Sequence, residues 1–140
     1  AYQRMVTELH RIGYDRIFGY LSGGINAWLM SGRPVDQLEQ TSSQQLQRLL
    51  GPDAPPIIDV RTPAEWNAGR LNKAVHLPLS DLLEGRLPDV PKDEDLIIQC
   101  GSGYRSNIAG SLLKQEGFTR VKSLAGGIFA WSNAKLPVIQ

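Results

Sequence analysis

Cys100-Gly101-Ser102-Gly103-Tyr104-Arg105 is the stretch on which the reading of this chain turns. Before it, Leu96-Ile97-Ile98 has the apolar character of a short buried strand. After it, Ser106-Asn107-Ile108-Ala109 fits the first turn of a helix. A strand, a glycine-containing loop and a helix in that order aim backbone N–H groups at one point, where the helix start adds positive potential. The residue at the mouth of this cradle is the one cysteine of the chain. A thiolate is stabilised in such a place, and the thiolate is the nucleophilic form of cysteine. A lone cysteine is ordinarily a small core residue. Core cysteines, however, seldom open a Gly-x-Gly loop that closes on an arginine.

Composition bounds the rest. The 140 residues suit one domain of ordinary size, and 41% of them are hydrophobic, enough for a core. A net charge of +1 implies no strong field toward nucleic acid or a membrane surface, and neither is expected as a partner. No apolar run approaches the roughly 18 residues of a membrane span. One cysteine cannot close an internal disulfide, so a reducing, cytoplasmic setting is expected. His10 and His76 without a second cysteine make a structural zinc site improbable, and no metal is expected.

The start of the chain repeats its end. Gly13-Tyr14-Asp15-Arg16-Ile17 matches Gly117-Phe118-Thr119-Arg120-Val121. Gly23-Gly24-Ile25-Asn26-Ala27-Trp28 matches Gly126-Gly127-Ile128-Phe129-Ala130-Trp131, and Pro34-Val35 matches Pro137-Val138. The offset is 104 residues before the glycine pair and 103 after it. Solenoid repeats recur every 20–50 residues or so, and this spacing indicates tandem domains instead. At that offset Ala1 falls on Arg105, so the first copy begins where its own loop would end. Residues 1–37 are therefore expected to be the closing fragment of one unit and residues 38–140 a complete one. In the fragment, Tyr2–Arg11 suits a helix, Ile17–Leu21 a strand and Ile25–Met30 a short helix. Its apolar residues should pack on a missing half-domain or another chain, because an isolated strand and an uncovered apolar face are both unfavourable in water.

In the complete unit, Asp36–Gln40 reads as a polar connection. Ser42 or Ser43 can cap a helix with Leu46, Leu49 and Leu50 on one face. Ile57-Ile58-Asp59-Val60 is a strand, and Thr62-Pro63-Ala64-Glu65 carries a capping box with proline at the first helical position. Ala74–Leu77 is a strand, Ser80 opens a helix, and Leu96–Gln99 delivers Cys100. The helix after the loop should bury Ile108, Ala109, Leu112 and Leu113, with Arg120–Leu124 as the last strand and Ile128–Trp131 in the closing helix. Short strands alternating with helices predict an α/β fold, a short mainly parallel sheet with helices on both faces. Its crevice lies beyond the carboxyl ends of the strands, where Cys100 falls.

Over about residues 41–138 the chain resembles the rhodanese-homology domains, a sulfurtransferase family. Four features in order carry the likeness: Ile57-Ile58-Asp59-Val60-Arg61 followed by Glu65; Gly69-Arg70-Leu71-Asn72-Lys73-Ala74-Val75-His76-Leu77-Pro78; the Cys100 loop; and Leu124-Ala125-Gly126-Gly127-Ile128 with Ala130-Trp131. Arg70 departs from the pattern, since the family often has histidine there, and a structural role is expected of it. The loop places four residues between Cys100 and Arg105, whereas related phosphatases place five in a wider cradle. The resemblance implies transfer of a sulfane sulfur from thiosulfate or a small persulfide to a thiol or cyanide, through a Cys100 persulfide and without a cofactor. It implies that Cys100 and Arg105 are catalytic. Gly101, Ser102, Gly103, Tyr104 and Arg105 would bind the substrate, with Arg105 holding the donor's anionic end or bracing the loop. Asp59 and Arg61 are expected to be structural support beneath the loop, His76 a structural histidine, and Trp28, Trp66 and Trp131 packing residues. A non-catalytic docking module and a small-oxyanion reductase or phosphatase are the alternatives. The likeness also suggests a larger sulfur-handling protein with tandem units.

Overall fold

The computed structural model describes residues 2–140 and divides the chain into two compact units, Ala1–Asp36 and Gln37–Gln140. In unit 1, helix α1 (Tyr2–Arg11) is followed by helix α2 (Gly24–Met30). Ile17–Leu21, expected as a strand, forms none. A strand exists only through a neighbour's N–H and C=O groups, and nothing among the described residues of unit 1 supplies them.

Unit 2 holds strands β1 (Glu39–Thr41), β2 (Ile57–Asp59), β3 (Ala74–His76), β4 (Asp95–Gln99) and β5 (Arg120–Leu124). Helices α3 (Ser43–Leu49), α4 (Pro63–Ala68), α5 (Leu79–Leu83), α6 (Tyr104–Gln115) and α7 (Gly127–Asn133) lie between and after them. The sheet order is β1-β5-β4-β2-β3, and every pairing is parallel. The expected polar connection at Asp36–Gln40 thus contains the first residues of a strand. Glu39 and Gln40 pair with Lys122 and Ser123, and a polar edge strand is a common guard against unwanted pairing.

Alternation along the central strands builds a core on each face. Ile58, Leu96 and Ile98 point to one side, with Ala109 and Leu113 of α6, Leu82 of α5, and Phe118 and Val121. Ile57 and Ile97 point to the other, with Leu46 of α3 and with Ile128 and Trp131 of α7. Both sides of β4 are dry, so its run Leu96-Ile97-Ile98 is continuously apolar, as parallel central strands are. Ile108, expected inside, is instead 41% exposed, because the buried stripe of α6 runs through Ser106, Ala109, Gly110 and Leu113. Two capping boxes fix helix starts: Ser42 with Gln45 begins α3, and Thr62 with Glu65 begins α4.

Candidate active site

Strand β4 ends at Gln99, and Cys100 follows at the carboxyl edge of the sheet, fully buried. The loop turns over its sulfur at Gly103, whose φ of 98° lies in the left-handed region that glycine adopts without strain. That turn brings the Gly103 N–H to 3.1 Å from the Cys100 Sγ. Helix α6 starts at Tyr104, two residues earlier than the sequence suggested, so its first N–H groups belong to the cradle. The Ser106 Oγ lies 3.5 Å from the sulfur, donates to the Gly103 carbonyl at 3.0 Å, and sits 2.7 Å from the Ser123 Oγ. Burial pushes the Cys100 thiol up, but hydrogen bonds from the Ser106 hydroxyl and the Ser106, Gly103 and Ser102 N–H groups outweigh it. The net shift is downward.

The loop is held from below by the start of α7. The Ile128 N–H donates to the Cys100 carbonyl at 2.8 Å, and the Phe129 N–H to the Gly101 carbonyl at 3.0 Å. With these carbonyls turned down, the following N–H groups are free to face the sulfur. The contact needs bare backbone: a Cβ on Gly127, at φ 55°, would stand 2.3 Å from the Cys100 carbonyl oxygen. Read from sequence, Gly126-Gly127 is a turn, and its hold on the loop emerges only in three dimensions.

Arg105 does not lie free for an anion. Its Nη1 and Nη2 donate to the two carboxylate oxygens of Glu65 at 2.7 and 2.6 Å, a fork-on-fork pair joining α6 to α4. The guanidinium holds Glu65 well below the usual carboxylate range, at about 2, with the Thr62 hydrogen bonds assisting against burial. Glu65 in turn raises Arg105. The sequence marks Glu65 as a helix cap, and its reach to Arg105, 40 residues away, carries no local signal.

At the end of β2, Arg61 grips Asp59 through Nε and Nη2, the shortest contact being 2.6 Å, and donates to the carbonyls of Glu65 and Gly69. Both residues are buried. His76 Nε2 meets the Arg61 carbonyl at 2.9 Å, and its ring stacks on Trp66. Arg70 lies over the other aromatic partner of that stack, Trp66, with its guanidinium carbon 5.0 Å from the ring centroid. Ser102 and Tyr104 project outward, Tyr104 being 77% exposed. Gln99 is buried next to Cys100, and its side-chain amide has no hydrogen-bond partner among the described residues. No cluster of metal-ligating side chains occurs among the described residues.

The family model for the rhodanese-like domain matches residues 42–134. The chain belongs to the rhodanese-like domain family. A sulfurtransferase of Allochromatium vinosum is 41% identical over 101 residues, which cover 72% of this chain and 94% of that protein. The probable adenylyltransferase/sulfurtransferase MoeZ of Mycobacterium tuberculosis is 35% identical over 82 residues, 58% of this chain but 21% of MoeZ. Among solved structures, a rhodanese-related protein from Thermoplasma volcanium superposes with a TM-score of 0.65 at 27% identity. The match covers 72% of this chain and 97% of that one. The rhodanese-like α/β fold expected from the sequence is thus the fold observed. No helix among the described residues is long and apolar enough to cross a membrane.

Proposed function

We propose that the rhodanese-like unit is a sulfurtransferase in which Cys100 carries the sulfur. The reading rests above all on the cradle: a buried cysteine sulfur faced by the Gly103 N–H and the Ser106 hydroxyl, with its thiol held below the ordinary range. The sulfurtransferase name of the Allochromatium relative supports it.

In the first half-reaction the Cys100 thiolate attacks the outer sulfur of thiosulfate or a small persulfide. A new S–S bond forms, the donor's S–S bond breaks, and sulfite or a thiolate leaves with the electron pair. Cys100 then bears a persulfide whose terminal anion takes over the loop's N–H donors. In the second, a thiolate or cyanide attacks that terminal sulfur and Cys100 departs as the thiolate. No net oxidation occurs, and the rules of thiol–disulfide exchange govern both steps. Gly101, Ser102, Gly103 and Tyr104 form the wall that the donor meets. Arg105 acts through Glu65 as a brace for the loop, and Asp59 with Arg61 supports the floor.

The closed loop is the observation that favours the second reading, a non-catalytic docking module, since Cys100 has no accessible surface at rest. A thiosulfate-to-cyanide assay run beside a persulfide-to-thiol assay separates the two. Turnover that vanishes in Cys100→Ser supports the transferase; no turnover in either assay with the intact protein contradicts it.

A further inference from the structure

The two copies of the repeat share geometry to a fine grain. Helix α1 stops at Arg11 and α6 at Gln115, and α2 and α7 span matching positions. Gly13 and Gly117 have φ of 90° and 93°, Gly23 and Gly126 of 75° and 70°, Gly24 and Gly127 of 62° and 55°. The Trp28 indole donates to the Pro34 carbonyl at 3.0 Å, as the Trp131 indole does to Pro137 at 2.9 Å. What differs is cover. Phe118, Leu124 and Ile128 are 3%, 0% and 6% exposed, while their counterparts Tyr14, Leu21 and Ile25 are 63%, 51% and 58% exposed.

In unit 2 the cover comes from residues 37–105. Ile58, Leu96 and Ile98 meet Phe118 and Val121, and Leu46, Ile57 and Ile97 meet Ile128 and Trp131. The Cys100 and Gly101 carbonyls accept from Ile128 and Phe129. In unit 1 the equivalent Ile25 and Asn26 N–H groups have no acceptor among the described residues. A Cβ placed on Gly24 would meet nothing within 4 Å, whereas one on Gly127 would stand 2.3 and 2.6 Å from the Cys100 and Gly101 carbonyl oxygens. Unit 1 therefore keeps the backbone shape of a loop receptor without the loop.

We infer that unit 1 docks the opening half of a second rhodanese-like unit, on polypeptide outside residues 1–140. That half brings parallel strands to lie against residues 17–21 and a strand-to-helix loop whose carbonyls take the Ile25 and Asn26 N–H groups. A second copy of this chain does not fit the vacancy, because its own opening half is already engaged by its own α6, β5 and α7. The repeat is one of fold and not of site: Tyr2 stands where Ser106 flanks the sulfur. The docked unit thus lacks the Ser106 hydroxyl of the cradle.

The test places residues 37–105 directly ahead of Tyr2 in the 140-residue chain, the register set by the repeat, and follows amide hydrogen exchange. In the parent chain, amides 17–21, 25 and 26 should exchange within about tenfold of a free peptide. In the fusion they should slow by about 100-fold or more, and Gly24→Val in the fusion should reverse the slowing. The same half added in trans to the intact chain should give the same protection without a covalent join. Failure to protect in both formats overturns the inference. So does protection already present in the dilute parent chain, protection that rises with parent concentration alone, or protection that survives Gly24→Val.

Discussion

The Ser106 hydroxyl has one proton and three neighbours: the Gly103 carbonyl, the Ser123 hydroxyl and the Cys100 sulfur. With Cys100 as a thiol, the S–H can donate to Ser106 while Ser106 donates to Gly103. With Cys100 as a thiolate, Ser106 can turn its proton to the sulfur and accept one from Ser123. The pair of serines thus adapts to either charge state at no cost in buried, unpartnered oxygen. Hydrogen bonds to a charged acceptor contribute about 1.5–3 kcal/mol, so Ser106→Ala should raise the thiol pKa. Alkylation rate against pH measures it: the parent midpoint should lie below the free-thiol value of about 8.5, and the variant's above the parent's. Coincident midpoints would remove Ser106 from the account. Ser106 and Ser123 are ordinary serines in the sequence, one in a helix start and one in a strand; only their meeting under the loop gives them meaning.

At the scale of elements, the site is a loop clamped between two helix starts, α6 supplying N–H groups to the sulfur and α7 supplying them to the loop's carbonyls. Gly127→Ala tests the clamp. Its Cβ cannot coexist with the Cys100 carbonyl at 2.3 Å, and relieving the overlap lifts α7 from the loop. A stability loss of about 1–3 kcal/mol in chemical denaturation is expected, as for other overpacked positions. Sulfur transfer should fall further than stability does, since the loop's N–H groups lose their aim. Full activity in a destabilised variant would show that the clamp is structural alone. The helices and strands around this clamp were largely legible, because a cap at Ser42 or Ser43, the capping box at Thr62, the apolar run at Leu96-Ile97-Ile98 and the Gly-Gly turn are local signals. Strand β1 was not, since Glu39-Gln40-Thr41 is polar and owes its strand to β5 alone. The opposite error at Ile17–Leu21 has the same cause: an apolar, β-prone run becomes a strand only where a neighbour pairs with it.

Across the whole molecule, the Glu65–Arg105 pair ties the first half of the rhodanese-like unit to the second. The sequence announced each end, Arg105 as the loop's last residue and Glu65 as a cap, and concealed the bond between them. Glu65 is ionised down to about pH 2 when folded, against an ordinary 4.5. A depressed carboxyl contributes stability that is complete above its unfolded value and is lost as pH falls toward its folded one. Melting temperature should therefore drop more steeply between pH 4.5 and 2 in the parent than in Glu65→Gln. The two side chains are about a third exposed, so screening limits the difference to about 1 kcal/mol or less. Parallel curves would mean that the pair forms no more in the folded protein than in the unfolded chain.

The sulfur on Cys100 is the centre of the account, and intact-protein mass spectrometry reads it directly. Incubation with thiosulfate or a small persulfide should add about 32 Da, one sulfur atom, to the parent and nothing to Cys100→Ser. Peptide mapping should place the added sulfur on Cys100, and a thiol or cyanide should remove it. A protein that gains no sulfur from either donor, or gains it equally without Cys100, would contradict the account.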